Sequence, residues 1–164
     1  MARAREVLIV VVVVAGFIGL PGAADAPPTR DEVQRFVRAY IDANNGADPT
    51  AVMDLVSKRS EVSTAEMGVI NRGWDSIRSE VDKLAGSQGT HRLSLGTMDV
   101  ILLGPGYALV VAPVTIDLSV GENQAQMRMA MTLVLEKSSG KWKVLHEHDS
   151  LQFPQGDIPG AEAN

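Results

Sequence analysis

The chain has 164 residues, no cysteine, a formal net charge of −5 and an aromatic content of only 4%. Without cysteine there is no disulfide, no thiol chemistry and no lipid anchor on a cysteine. The acidic balance and the absence of a basic run argue against nucleic acid and against an anionic membrane surface as partners.

Arg3 and Arg5 precede fourteen unbroken apolar or glycine residues, Val7 to Leu20, which Pro21 ends. Gly22-Ala23-Ala24 then supplies small residues, so residues 1–24 read as a secretory signal peptide with cleavage expected before Asp25. The apolar run is shorter than the roughly 20 residues that span a bilayer. A periplasmic or secreted protein is expected, with no membrane contact beyond this segment; an uncleaved N-terminal anchor is the alternative. Loss of Arg3, Arg5 and Glu6 leaves 13 basic and 19 acidic residues, a net charge of −6. About 140 residues remain, enough for one domain with a sizeable core.

Thr29-Arg30-Asp31-Glu32 is a capping-box pattern. Val33, Phe36, Val37, Tyr40 and Ile41 follow at helical spacing and define one apolar face. Asn44-Asn45-Gly46 ends that helix, and Asp48-Pro49 opens a second, short one. Residues 59–68 read as irregular or a short strand. Trp74, Ile77, Val81 and Leu84 predict a third helix closed by Gly86. Residues 91–103, 107–119, 125–136 and 141–152 are β-rich and separated by turn signals at Gly104-Pro105-Gly106, Gly121-Glu122-Asn123 and Ser138-Ser139-Gly140. Three helices followed by a four-stranded antiparallel meander predict an α+β domain over residues 25–153. Residues 154–164, with two prolines and two glycines, are expected to be a disordered tail. Short helices on a strongly curved sheet leave a cone-shaped space suited to a small molecule.

Four stretches in this order resemble a known family: "YIDANNGADPTAVMDLV" from Tyr40, "GVINRGWDSIRSEV" from Gly68, "GPGYALVVAPVTID" from Gly104 and "GKWKVLHEHDS" from Gly140. Over roughly residues 30–153 the chain resembles the SnoaL-like branch of the nuclear transport factor 2-like, or ketosteroid isomerase-like, superfamily. The resemblance implies a cone-shaped α+β barrel that pairs as a homodimer through its outer sheet face. Members include isomerases, cyclases, hydrolases and non-enzymatic scaffolds, so the fold does not give the activity. Ketosteroid isomerisation on this fold needs a carboxylate base and an oxyanion hole of a tyrosine and a protonated aspartic acid. The resemblance places Tyr40 at the tyrosine, Thr64 at the base, and Thr132 or Leu133 at the second acid. Thr64 offers no carboxylate, and Glu61 or Glu66 is the alternative base.

The last stretch carries most of the polar candidates. With a two-residue period, Trp142, Val144, His146, His148 and Ser150 share one face of a strand, and Lys143, Leu145, Glu147, Asp149 and Leu151 share the other. In relatives that form kinase-association hubs, a cationic anion-binder stands at the position of Asp149, with Thr115 and Leu133 at the matching positions of neighbouring strands. None of the three is basic here. The expected pocket is therefore lined by Tyr40, Trp74, Thr115, Asp117, Met129, Met131, Leu133, Glu147 and Asp149, and suits a neutral or cationic apolar ligand. Met side chains are adaptable fillers, and a plain core stripe is the simpler account of them.

Trp142, His146 and His148 are expected on an outer dimer face with Val110, Ala112, Val114 and Val134, or as acid–base groups if the facing is reversed. A zinc site on His146 and His148, completed by His91 or a carboxylate, lacks an assured third ligand, so no metal is expected. No cofactor and no catalytic residue is assigned. There is no phosphate-binding glycine loop, no G-x-S-x-G and no internal repeat. The expected function is an exported, dimeric domain that binds a small apolar molecule or acts as an assembly module without catalysis. The alternative is an isomerase, cyclase or hydrolase with acid–base residues in the cone.

Overall fold

A computed structural model describes residues 27–87 and 89–152. The expected signal peptide (1–24) and the expected tail (154–164) lie outside the described residues. Helix α1 (Arg30–Asn44) starts where the capping box places it, with the Glu32 N–H donating to Thr29 Oγ1 at 3.2 Å. Its face of Val33, Val37, Tyr40 and Ile41 is buried. Asp48 caps α2 (Pro49–Met53) by accepting from the Thr50 N–H at 2.8 Å, and Pro49 occupies the first turn, where no backbone donor is needed. Residues 59–68, expected as irregular or a short strand, contain the short strand β1 (Ser63–Glu66), which pairs with a second one, β2 (Val69–Arg72), in a hairpin. Met67 and Gly68 both take positive φ at its turn, the twist a two-residue hairpin requires. Helix α3 (Trp74–Ala85) follows and buries Ile77.

The run expected as one strand over residues 91–103 is two, β3 (Thr90–Leu95) and β4 (Asp99–Gly104). Both lie antiparallel to β5 (Tyr107–Val120), at different ends of it. The break falls at Gly96, where a Cβ would stand 2.8 Å from the Pro113 ring, so only glycine lets the chain leave the edge there. Strands β6 (Asn123–Ser138) and β7 (Lys141–Gln152) complete a seven-stranded sheet ordered β2-β1-β7-β6-β5-β3, with β4 also on β5. Every pairing is antiparallel except β1 with β7. The helices are segregated from the meander, which makes the α+β cone that the element order predicts.

One irregularity sets which residues face the core. In the β6–β7 ladder Val134 pairs with His146 but Leu135 pairs with Val144, so Leu145 is an extra residue, a β-bulge. A one-residue slip exchanges the faces of a strand. Trp142 and Val144 on one side of the bulge therefore share the concave face with Glu147 and Asp149 on the other, and Trp142 is only 5% exposed. The expectation that Trp142 lies beside His146 and His148 on the outer face is corrected: it is a core residue, with the Lys137 ammonium 5.8 Å from its ring. Val110, Ala112 and Val114 are likewise buried core. The Val120–Asn123 turn pairs Val110 with Leu133 and Ala112 with Met131, which turns all of them inward.

Candidate functional site

Between the helices and the concave face lies a cavity of about 510 Å³. Its walls are mostly aliphatic and thioether: Val52 and Val56 from the α2 segment, Ile77 and Val81 from α3, Ile116 and Leu118 from β5, and Met127, Met129 and Met131 from β6. Met67, Leu84 and Val120, each more than half exposed, stand at its rim. Such a space, apolar with a few converging polar groups, is what small-molecule sites share.

The polar groups enter from three elements. Tyr40 projects from the buried face of α1, and its hydroxyl donates to Glu147 Oε2 at 2.6 Å. Glu147 and Asp149 stand two residues apart on the concave face of β7. The parallel register sets Thr64 opposite Glu147 and Glu66 opposite Asp149. Glu80 of α3 also lines the cavity. No lysine or arginine does; the basic-type residue present, His91, is held through Nε2 by the Asn44 carbonyl at 2.8 Å.

Burial first, then the neighbouring Asp149 charge, pushes the Glu147 carboxyl up to about 8, against the lowering effect of the Tyr40 hydrogen bond. Burial, then Glu66, pushes Asp149 up to about 7. Glu66 is raised too, by burial and then by Glu80. Tyr40 is held well above its ordinary value by burial and by Glu147, so it keeps its proton and donates it. Asp149 Oδ1 is fully buried and has no hydrogen-bond partner among the described residues. Neutral carboxyl groups, or a bound cation, resolve this crowding of acid in an apolar space.

Of the expected pocket residues, Tyr40, Met129, Met131, Glu147 and Asp149 come together around the cavity. Leu133 is fully buried on the same face but lies behind the lining. Trp74 is half-buried outside the cavity, with the Lys58 ammonium 5.5 Å from its ring. Thr115 and Asp117 are corrected: they pair with Arg128 and Gln126 on the opposite face of β5, and Asp117 accepts from Gln126 Nε2 at 2.8 Å. The neighbours of Asp149 across the sheet are Met131 and then Ala112, not Leu133 and Thr115. Continued from the Ser138–Lys141 turn without a break, the register would set Asp149 opposite Ala130; the extra residue at Leu145, which no residue type in the sequence announces, moves it to Met131.

His146 and His148 lie on the other face of β7 from Glu147. His146 Nδ1 is 2.9 Å from Ser63 Oγ, and His148 is exposed. His91 belongs to the cavity side, so it does not complete a site with them. Among the described residues no three histidine, aspartate or glutamate side chains are grouped to hold a metal ion. Thr64, at the position the resemblance gives the isomerase base, faces the cavity and accepts from Asn71 Nδ2 at 3.4 Å. Asn44, Glu80 and Met127 also line the cavity without having been expected there; the signals that point to them are the i+4 spacing from Tyr40, the i+3 spacing from Ile77 and the two-residue alternation with Met129 and Met131.

A search of curated proteins finds no match. Solved structures with the same fold include a nuclear transport factor 2-like superfamily protein from Salmonella enterica serovar Typhimurium, 20% identical, covering 79% of this chain and 95% of that one, with a TM-score of 0.69. A putative calcium/calmodulin-dependent protein kinase II association domain from Xanthomonas campestris is 19% identical over 79% of this chain and 92% of that one, TM-score 0.65. A ketosteroid isomerase-like protein from Erwinia carotovora atroseptica is 16% identical over 76% of this chain and 96% of that one, TM-score 0.64. At these identities the likeness is one of fold. The model of the SnoaL-like domain matches residues 33–154, from the first buried position of α1 to just beyond β7, and the chain belongs to that family.

Proposed function

We propose that the protein is an exported, dimeric module that holds one small, mostly apolar molecule in its cone and does not transform it. The cavity of about 510 Å³ carries this reading, because a space of that size with aliphatic and methionine walls is costly to leave to water. Absence of a carboxylate at Thr64 removes the group that would abstract a proton at the isomerase position, a factor of about 10²–10⁴ in rate. Pairing through the outer sheet face is supported by Ile101, Leu103 and Val111, exposed apolar residues on β4 and β5. Export rests on the pattern of residues 1–24.

Binding of the neutral fluorophore N-phenyl-1-naphthylamine tests the central part. One site per protomer is expected, lost when Met131→Trp fills the cavity. Undiminished binding in that variant places the fluorophore elsewhere and removes the reading. A second reading, acid–base catalysis, is favoured by one observation: Tyr40, Glu147, Asp149 and Glu66 converge on one cavity with carboxyls held near neutral pH. A turnover abolished by Tyr40→Phe would establish it in place of the first.

A further inference from the structure

We propose that the ligand is an amine: a protonated nitrogen bearing N–H donors, on an apolar body, with the ammonium seated among Glu147, Asp149 and Glu66. This deepens the cavity reading above and rests on it. Four carboxyl side chains, Glu66, Glu80, Glu147 and Asp149, line a cavity that receives no lysine or arginine from the described residues. Glu147 is only 8% exposed, and its protein donor is the Tyr40 hydroxyl, on one oxygen. Asp149 Oδ1 is sealed from solvent and has no donor among the described residues. A buried carboxylate oxygen without a donor is expensive. An N–H cation supplies both the missing charge and the missing donors in charge-assisted hydrogen bonds.

Other cations fit less well. A metal ion needs three or four ligands closing on one point, and no such group exists among the described residues. A quaternary ammonium has no N–H and is recognised by cages of Trp, Tyr or Phe; among the described residues Tyr40 is the one such side chain that lines the cavity. The apolar body of the ligand lies against Met127, Met129, Met131, Ile116 and Leu118, which adapt to its shape.

Burial and mutual repulsion favour the protonated forms of Glu147 and Asp149 without a ligand, and the ammonium favours the ionised ones. The groups facing this pair are Tyr40 from α1, Thr64 and Glu66 from β1, Glu80 from α3 and His91 from β3, with methionines alone from β6. Amine affinity therefore rises with pH as the carboxyls ionise, and binding releases protons.

Calorimetry with decylamine, decan-1-ol and decanoate, each below its micelle concentration, tests this on the purified protein. Decylamine is expected to bind at least about 10-fold tighter than decanol at pH 8, and decanoate weakest. Decylamine is also expected to gain at least about 10-fold between pH 5.5 and 8 while decanol stays level, with proton release seen as a heat that depends on the buffer. In Glu147→Gln/Asp149→Asn the preference for amine over alcohol is expected to vanish. Should that variant not fold, the pH series and the proton count on the unaltered protein decide the matter alone. Equal affinity for amine and alcohol, or tightest binding of decanoate, overturns the amine while leaving the cavity reading intact. If none of the three binds, both fall.

Discussion

Tyr40 and Glu147 lie far apart in the chain and 2.6 Å apart in the fold, and each was legible separately. Tyr40 falls on the apolar stripe of α1, and Glu147 and Asp149 alternate on a β-rich segment. Their meeting was not legible, because it depends on the bulge and on how α1 crosses the sheet. Loss of the tyrosine hydroxyl leaves a buried carboxyl without its donor, so Tyr40→Phe is expected to cost about 1–3 kcal/mol, measured by urea denaturation at pH 7. The acid pair also gives stability a pH dependence. Glu147 and Asp149 bind protons more tightly in the folded protein, up to about 8 and about 7, than in the unfolded chain, where they titrate at their ordinary values of 4.5 and 3.8. Their contribution is whole below the unfolded values and is lost as pH rises through the folded ones. The melting temperature is thus expected to fall by several degrees between pH 6 and 9, and Glu147→Gln/Asp149→Asn is expected to flatten that slope. A melting temperature that instead rises over this range contradicts the assignment.

At the scale of elements, the helices were readable because their ends carry side-chain signals: Thr29 with Glu32, Asp48 with Pro49, and the glycine after α3. The hairpin of β1 and β2 was not, since four-residue strands with Val69 and Ile70 more than half exposed show no apolar alternation. The break at Gly96 and the extra residue at Leu145 were equally silent, as both answer to a neighbouring strand. The bulge separates two residues that simple alternation unites. Trp142→Ala is expected to destabilise by about 3–5 kcal/mol, as a large core truncation does. His148→Ala, on the exposed face, is expected to stay within about 0.5 kcal/mol in the isolated protomer. Chemical denaturation of the two variants checks the contrast, and similar losses in both would mean that the bulge is misplaced.

The whole molecule is a curved, open sheet with helices across its concave side, and its sequence order of helices then strands announced that architecture. Membership of the SnoaL-like family follows from residues 33–154, but the use to which the cone is put does not, because the fold is shared by proteins of unlike function. The cavity has thioether and aliphatic walls, four carboxyl side chains and, among the described residues, no lysine or arginine. The central claim is that this space is occupied by a small molecule when the protein is made. Native mass spectrometry of the protein, expressed with its N-terminal segment and purified without chelator, measures that directly. The account predicts a dimer that carries an added mass of a few hundred daltons per protomer, released by acidification. A dimer or monomer at its bare mass, which also takes up none of the decyl probes, would contradict it.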